Sequence, residues 1–272
     1  MKKRSFAIWI SVIWVIIAFL AIGGVTYAWF TFNPATNVVP ISSTVSDGDI
    51  SLLISTDPNG EFTTNCVLPQ YVSGNLEPVS TANLERFYTA NLQDRDGISV
   101  GFRECTSEVD EITIHGVIYL KSLKDQCAVY FNKSGMDFGN DPQVLAASRL
   151  GMKITSKEGT STYIFSLNEF GNVAGAAGAR TTTATNAVVA SLNGDGTPYY
   201  VGDPARSISD FFAVTGATKL PMAGRQMLCT IQAEEIVTVE YWLYLEGCDE
   251  NCINEVQEKE GIIQLSFAGV SK

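Results

Sequence analysis

The sequence predicts an all-β protein, an antiparallel β-sandwich of jelly-roll type, preceded by an N-terminal hydrophobic helix. Three observations carry that prediction. Many short runs of the 272-residue chain alternate apolar and polar residues with a period of two, as half-buried strands do. Those runs are rich in β-branched and aromatic residues, which favour strands. The stretch Phe6–Phe30 is apolar without interruption by charge, and it alone has the length of a membrane helix.

The bulk composition narrows the function. The chain is 46% hydrophobic and 17% charged, a globular balance rather than a disordered one. Its formal net charge is -11. Lys2, Lys3 and Arg4 precede the apolar stretch and no charge follows until Asp47, so the remaining body is more acidic still. Such a body is repelled by phosphate, which argues against nucleic acid as a partner.

Residues 1–30 read as a signal peptide or a transmembrane anchor. At about 1.5 Å per residue, a helix of about 25 residues crosses a hydrocarbon core of roughly 30 Å. The basic flank keeps the N-terminus inside and sends the remainder outside. Thr26-Tyr27-Ala28 offers small residues before a cut between Ala28 and Trp29. Tyr27–Phe30 equally suits an aromatic belt at the outer interface. Either way the body is extracellular or at the cell surface, and membrane-anchored if the segment is retained.

Residues 31–49 (TFNPATNVVPISSTVSDGD) read as an extended linker, because Pro34 and Pro40 fit neither a helix nor a central strand. The sandwich occupies residues 50–272. Its strands are signalled by Ile50, Leu52 and Ile54; by Ile98, Val100 and Phe102; by Ile112, Ile114, Ile118 and Leu120 within Glu111–Leu120; and by Cys127, Val129 and Phe131. The alternation of Val237, Val239, Tyr241, Leu243 and Leu245 marks a long strand in Ile236–Glu246, and Ile263, Leu265 and Phe267 mark the last one. Two short helices are expected. One is Gln143–Arg149, with Asp141 as N-cap and Pro142 at the first position. The other is Ser80–Tyr88. Around residues 171–198 a Gly/Ala/Thr-rich stretch with turn signals reads as an insertion in one sandwich rather than a boundary between two lobes.

All six cysteines follow the apolar segment. An even number in an exported chain points to disulfides. Cys248 and Cys252, in the acidic turn Gly-Cys-Asp-Glu-Asn-Cys, are a candidate local pair. Cys66, Cys105, Cys127 and Cys229 allow three pairings, and the sequence does not choose among them.

No constellation for catalysis, cofactor binding or metal binding stands out. The single histidine, His115, falls by alternation on the more polar face of its strand, as an exposed or edge histidine. There is no Gly-x-Ser-x-Gly elbow, no His-Glu-x-x-His helix and no phosphate-cradling Gly-x-x-x-x-Gly-Lys motif. Glu108, Asp110 and Glu111 read as a solvated strand entrance. Asn193, Asp195 and Thr197 read as a turn, since the closing glutamate of a calcium loop is missing. The chain is therefore expected to be non-enzymatic and to carry no cofactor.

Two places resemble a known family. Gly23-Gly24-Val25-Thr26-Tyr27-Ala28-Trp29-Phe30-Thr31, followed by extended chain and Gly48-Asp49-Ile50-Ser51-Leu52, resembles the export segment of the TasA/camelysin group of Gram-positive bacteria. Val237–Gly247, followed by Asp249-Glu250-Asn251-Cys252, resembles the closing strand and turn of surface proteins that share this segment. Asn75-Leu76-Glu77-Pro78 resembles a turn of the same group. The resemblance implies processing by a SipW-type signal peptidase and a jelly roll that self-associates into fibres of a biofilm matrix by donor-strand exchange. The donor would be Thr31–Val45, with Thr31, Val38, Val39, Ile41 and Val45 as its candidate residues. Camelysin's metalloprotease activity is not implied here, because one histidine and no zinc motif are present. A membrane-anchored module binding carbohydrate or another extracellular ligand, and an extracellular hydrolase using paired carboxylates, are the alternatives.

Overall fold

Alternation in the sequence becomes alternation in burial. The computed structural model describes residues 41–45, 52–66, 68, 76–92, 100–123, 126–170, 189–192, 198–200, 205–214, 222, 224–247, 249, 251–252, 256 and 262–271. All of them belong to the compact unit Thr36–Lys272. The predicted N-terminal helix lies outside the described residues. Among the described residues no helix is long and apolar enough to cross a membrane.

The strands in chain order are β1 (Ile41–Val45), β2 (Leu52–Ser55), β3 (Asn65–Cys66), β4 (Pro78–Val79), β5 (Tyr88–Leu92), β6 (Val100–Glu104), β7 (Ile114–Ser122) and β8 (Cys127–Phe131). They continue as β9 (Ser148–Ser156), β10 (Gly159–Ser166), β11 (Val189–Leu192), β12 (Pro198–Tyr200), β13 (Ala205–Ser207), β14 (Cys229–Ile231), β15 (Ile236–Glu246) and β16 (Ser266–Ser271). One sheet has the order β13-β10-β9-β15-β7-β2, with β4 paired to the far end of β15. The other has the order β14-β8-β16-β1-β3. Two further pairs, β5-β6 and β11-β12, stand apart from these sheets.

The two large sheets bury one shared core. Leu52, Ile54, Ile114, Ile118, Leu120, Leu150, Met152, Ile154, Val237, Val239 and Tyr241 enter it from the first sheet. Cys127, Val129, Phe131, Ile231 and Phe267 enter it from the second. Burial of this apolar surface is what rewards the period-two pattern, since a shift of one residue would turn every side chain to the wrong face. In β7, Ile114, Ile118 and Leu120 are buried while His115, Val117 and Tyr119 are half-buried on the other side. The strand signals at Leu52, Val100, Cys127, Val237 and Phe267 all fall in strands.

Among the described strands most pairings are antiparallel, as expected, but β1 with β16, β10 with β13, and β4 with β15 are parallel. Parallel neighbours cannot be joined by a tight turn, so each arises from chain that crosses between distant parts of the fold.

The outer face of the first sheet carries a second, smaller core. Val79 of β4, with Leu84, Phe87, Cys105, Val109 and Ile112 from the excursion between β4 and β7, covers Ile164, Trp242 and Tyr244. The antiparallel rows across β10, β9, β15 and β7 place Ile164, Gly151, Trp242 and His115 side by side. Gly151 leaves a notch in that row, and Leu84 fills it. A Cβ built on Gly151 would lie 2.6 Å from Leu84 Cδ2. Leu84 holds a φ of 58° to reach the notch.

That left-handed residue also explains one failed helix prediction. Ser80–Tyr88 is a series of bends, not a helix. The Thr81 hydroxyl accepts from Leu84 N at 3.0 Å, and Asn83 Oδ1 accepts from Glu85 N and Arg86 N at 3.0 and 3.2 Å. Side chains that satisfy nearby backbone donors compete with helix formation. The other helix is real but shorter than expected. It spans Pro142–Ala147, and Asp141 caps it by accepting from Gln143 N at 3.0 Å and Val144 N at 3.2 Å. Arg149 belongs to β9 instead. Glu111 and Ile112, read as the start of a strand, end the four-residue helix Val109–Ile112. Within the predicted insertion, Val189–Leu192 and Pro198–Tyr200 pair as antiparallel strands. Residues 171–188 and 193–197 lie outside the described residues.

Candidate functional site

The predicted donor segment ends in β1. Pro40 immediately precedes it, where a missing N–H does not interrupt a ladder. β1 is an inner strand of the second sheet, with β16 on one side and β3 on the other. Ser42, Ser43, Thr44 and Val45 pair in parallel with Ser266, Phe267, Ala268 and Gly269. Ile41 and Ser42 pair antiparallel with Cys66 and Asn65. Of the predicted donor residues, Ile41 and Val45 are thus the two ends of β1. Thr31, Val38 and Val39 lie outside the described residues, as do Ala28 and Trp29.

The geometry of this slot has a simple consequence. β16 follows β1 by more than two hundred residues of chain, and no hairpin ties them. Removing β1 would leave one open edge on β16 and another on β3. Open edges pair with any extended chain of suitable register. The main-chain hydrogen bonds that hold β1 do not depend on whether it comes from the same molecule.

The acidic turn after β15 is not a solvated loop. Asp249 is fully buried and receives Nη2 of Arg149, which is also fully buried. Arg149 Nη1 donates to the carbonyls of Ala146 at 2.9 Å and Ser148 at 2.7 Å. The other oxygen of Asp249 accepts from Asn251 N and Nδ2, both at 2.8 Å. The turn is therefore fastened to the start of β9. Cys252 packs half-buried against the main core. Cys248 lies outside the described residues, and no disulfide joins two of the described cysteines to each other.

The remaining thiols sit in apolar surroundings. Burial raises the Cys66 pKa to about 11. Cys127 is raised by burial as well, partly opposed by a hydrogen bond with Ser122. Cys229 is raised furthest, by burial and then by the neighbouring Cys127, Glu235 and Glu158. Thiols held in the neutral form are poor nucleophiles and poor metal ligands.

His115 is half-buried rather than exposed. Among the described residues β7 is paired there only to β15, because β2 pairs with the far end of β7, Tyr119–Ser122. The imidazole stacks on Trp242, with ring centroids 4.7 Å apart and planes within 5°. Its Nδ1 lies 2.5 Å from Asp110 Oδ1 and its Nε2 3.0 Å from Glu240 Oε1. Asp110 and Glu111, read as part of a strand entrance, sit on the helix Val109–Ile112, and Glu108 closes the helical turn before it. Asp110 is five residues from His115, but Glu240 is 125 residues away. Nothing local in the sequence signals that second contact.

Asn193, Asp195 and Thr197 lie outside the described residues. Among the described residues no group of three or more His, Cys, Asp or Glu is placed to hold a metal ion. Comparison with protein-family models, with curated proteins and with solved structures finds no match to the chain.

Proposed function

We propose that this chain is an exported surface or matrix protein of jelly-roll type whose subunits assemble by exchanging β1, each filling the slot between β16 and β3 of the next. The observation that supports this reading is the position of β1. It is an inner strand held by main-chain pairing on both sides, parallel to the last strand and joined to it by no turn. Main-chain hydrogen bonds supply affinity in such strand addition, and strand register supplies specificity. The apolar segment Phe6–Phe30 with its basic flank supports export. Removal of that segment between Ala28 and Trp29, by a SipW-type peptidase, would leave a short N-terminal arm ending in β1.

The experiment is to sequence the N-terminus of the native protein and follow the purified mature form by electron microscopy and light scattering. A processed N-terminus and fibres that disappear on deletion of residues 31–45 are the expected results. An intact Met1 together with a persistently monomeric body, or fibres that survive the deletion unchanged, overturns the proposal.

A further inference from the structure

His115 is held in a way that determines its protonation. Both ring nitrogens face carboxylate oxygens, Nδ1 facing Asp110 and Nε2 facing Glu240. An ionised carboxylate can only accept a hydrogen bond, so both nitrogens must carry hydrogen and the ring is an imidazolium. A neutral imidazole keeps one N–H and one lone pair. It can satisfy one of these carboxylates and must turn a lone pair toward the other. The geometry points to His115 as a proton-operated latch: the charged ring clips the helix Val109–Ile112 onto the outer face of the first sheet, and loss of a proton releases that helix.

The side that opens is set by the surroundings. Glu240 is on β15, paired directly to β7 in the same sheet, and cannot leave without breaking the sheet. Asp110 belongs to the covering excursion, and its side chain is 66% exposed. Among the described residues the charged groups in contact with the ring are Asp110 from the helix and Glu240 from β15; Lys153 of β9 lies opposite Glu240 in the strand register, on the side away from His115. Trp242 from β15 supplies a π-face, which attracts the cation more than the neutral ring. Beneath the latch lies the small outer core, to which the helix contributes Val109 and Ile112. Opening would bare the Trp242 side of that core, where the indole Nε1 is buried without a hydrogen-bond partner.

The direction of the pH effect follows. Burial alone would lower the pKa of His115, but the hydrogen bonds and charges of Glu240 and Asp110 outweigh it and raise the value above 6.5. A group whose folded pKa is raised adds stability that is complete below its unfolded value and is lost as pH rises through the folded one. The latch is closed at mildly acidic pH and opens on the alkaline side.

The test is hydrogen exchange by mass spectrometry on the full chain across pH 5.5–9, corrected for the intrinsic pH dependence of exchange. The His115 ring is titrated by NMR in parallel. Amides of residues 105–113 are expected to lose protection as the ring titrates, while those of β9 and β15 keep theirs. In Asp110→Asn, whose change lies at the surface, the ring titration and the exchange step should move together to lower pH. In His115→Gln the step should vanish. Protection in residues 105–113 that is constant with pH, or a step that stays put while the ring titration of the Asp110→Asn protein moves, overturns the latch.

Discussion

Arg149 and Asp249, one hundred residues apart in the chain, form an ion pair in which neither side chain reaches solvent. The pair joins the start of β9 to the turn after β15. It aligns the ends of two strands that run side by side for eight residues, from Thr238 opposite Thr155 to Leu245 opposite Ser148.

Breaking one half of this pair should be costly. Arg149→Met leaves a buried carboxylate, and Asp249→Asn leaves a buried guanidinium whose Nε already lacks a partner. Each single change is expected to destabilise the fold by about 3–5 kcal/mol. The double variant removes both charges and is expected to recover much of that loss. Urea unfolding followed by circular dichroism measures all three, and additive single losses in the double variant would contradict the coupling.

Leu84 and Gly151 should also behave as a couple. Gly151→Ala forces Leu84 out of its notch and is expected to cost about 1–3 kcal/mol. Leu84→Ala empties the notch and is expected to cost about 2–5 kcal/mol. The combined variant should lose less than the sum, because the smaller Leu84 replacement makes room for the new methyl group. Thermal unfolding of the four proteins closes that cycle.

The cap at Asp141 is local, so its prediction is modest. Asp141→Ala removes the acceptor for Gln143 N and Val144 N and is expected to destabilise by about 1 kcal/mol. Asp141→Asn or Asp141→Ser should retain most of the stability, since either side chain can accept the same bonds. A chemical-denaturation midpoint distinguishes the two outcomes.

Cys66 should be nearly inert while the protein is folded and reduced. Its pKa of about 11, against 9.0 for an open thiol, lowers the thiolate fraction at pH 8. Alkylation by iodoacetamide is expected to be about 100-fold slower than in the unfolded chain, apart from any added steric protection. Peptide mapping after timed labelling reads this directly. Labelling at the unfolded rate would show that the site is open.

What was legible in the sequence came from short-range rules. Asp141-Pro142 announced a helix start because a cap and a fixed φ act within three residues. The stripe Val237, Val239, Tyr241, Leu243 and Leu245 announced β15 because alternate side chains of any strand share a face. The same rules misread Ser80–Tyr88, where Thr81 and Asn83 bond to nearby backbone, and Arg149, which looked like the last residue of a helix.

The sequence by itself determined the β class, six of the sixteen described strands, the acidic body and the apolar segment ahead of it, because each follows from periodicity or charge read along the chain. The tertiary structure decided the pairings between distant residues. It placed β1 parallel to β16, buried Asp249 against Arg149, set Leu84 over Gly151 and drew Glu240 to His115. The physical reason is one of range. Alternation says which face a side chain occupies, but the partner across a sheet or a core is set by topology. Burial of a charge is tolerable only where that topology brings the opposite charge to meet it.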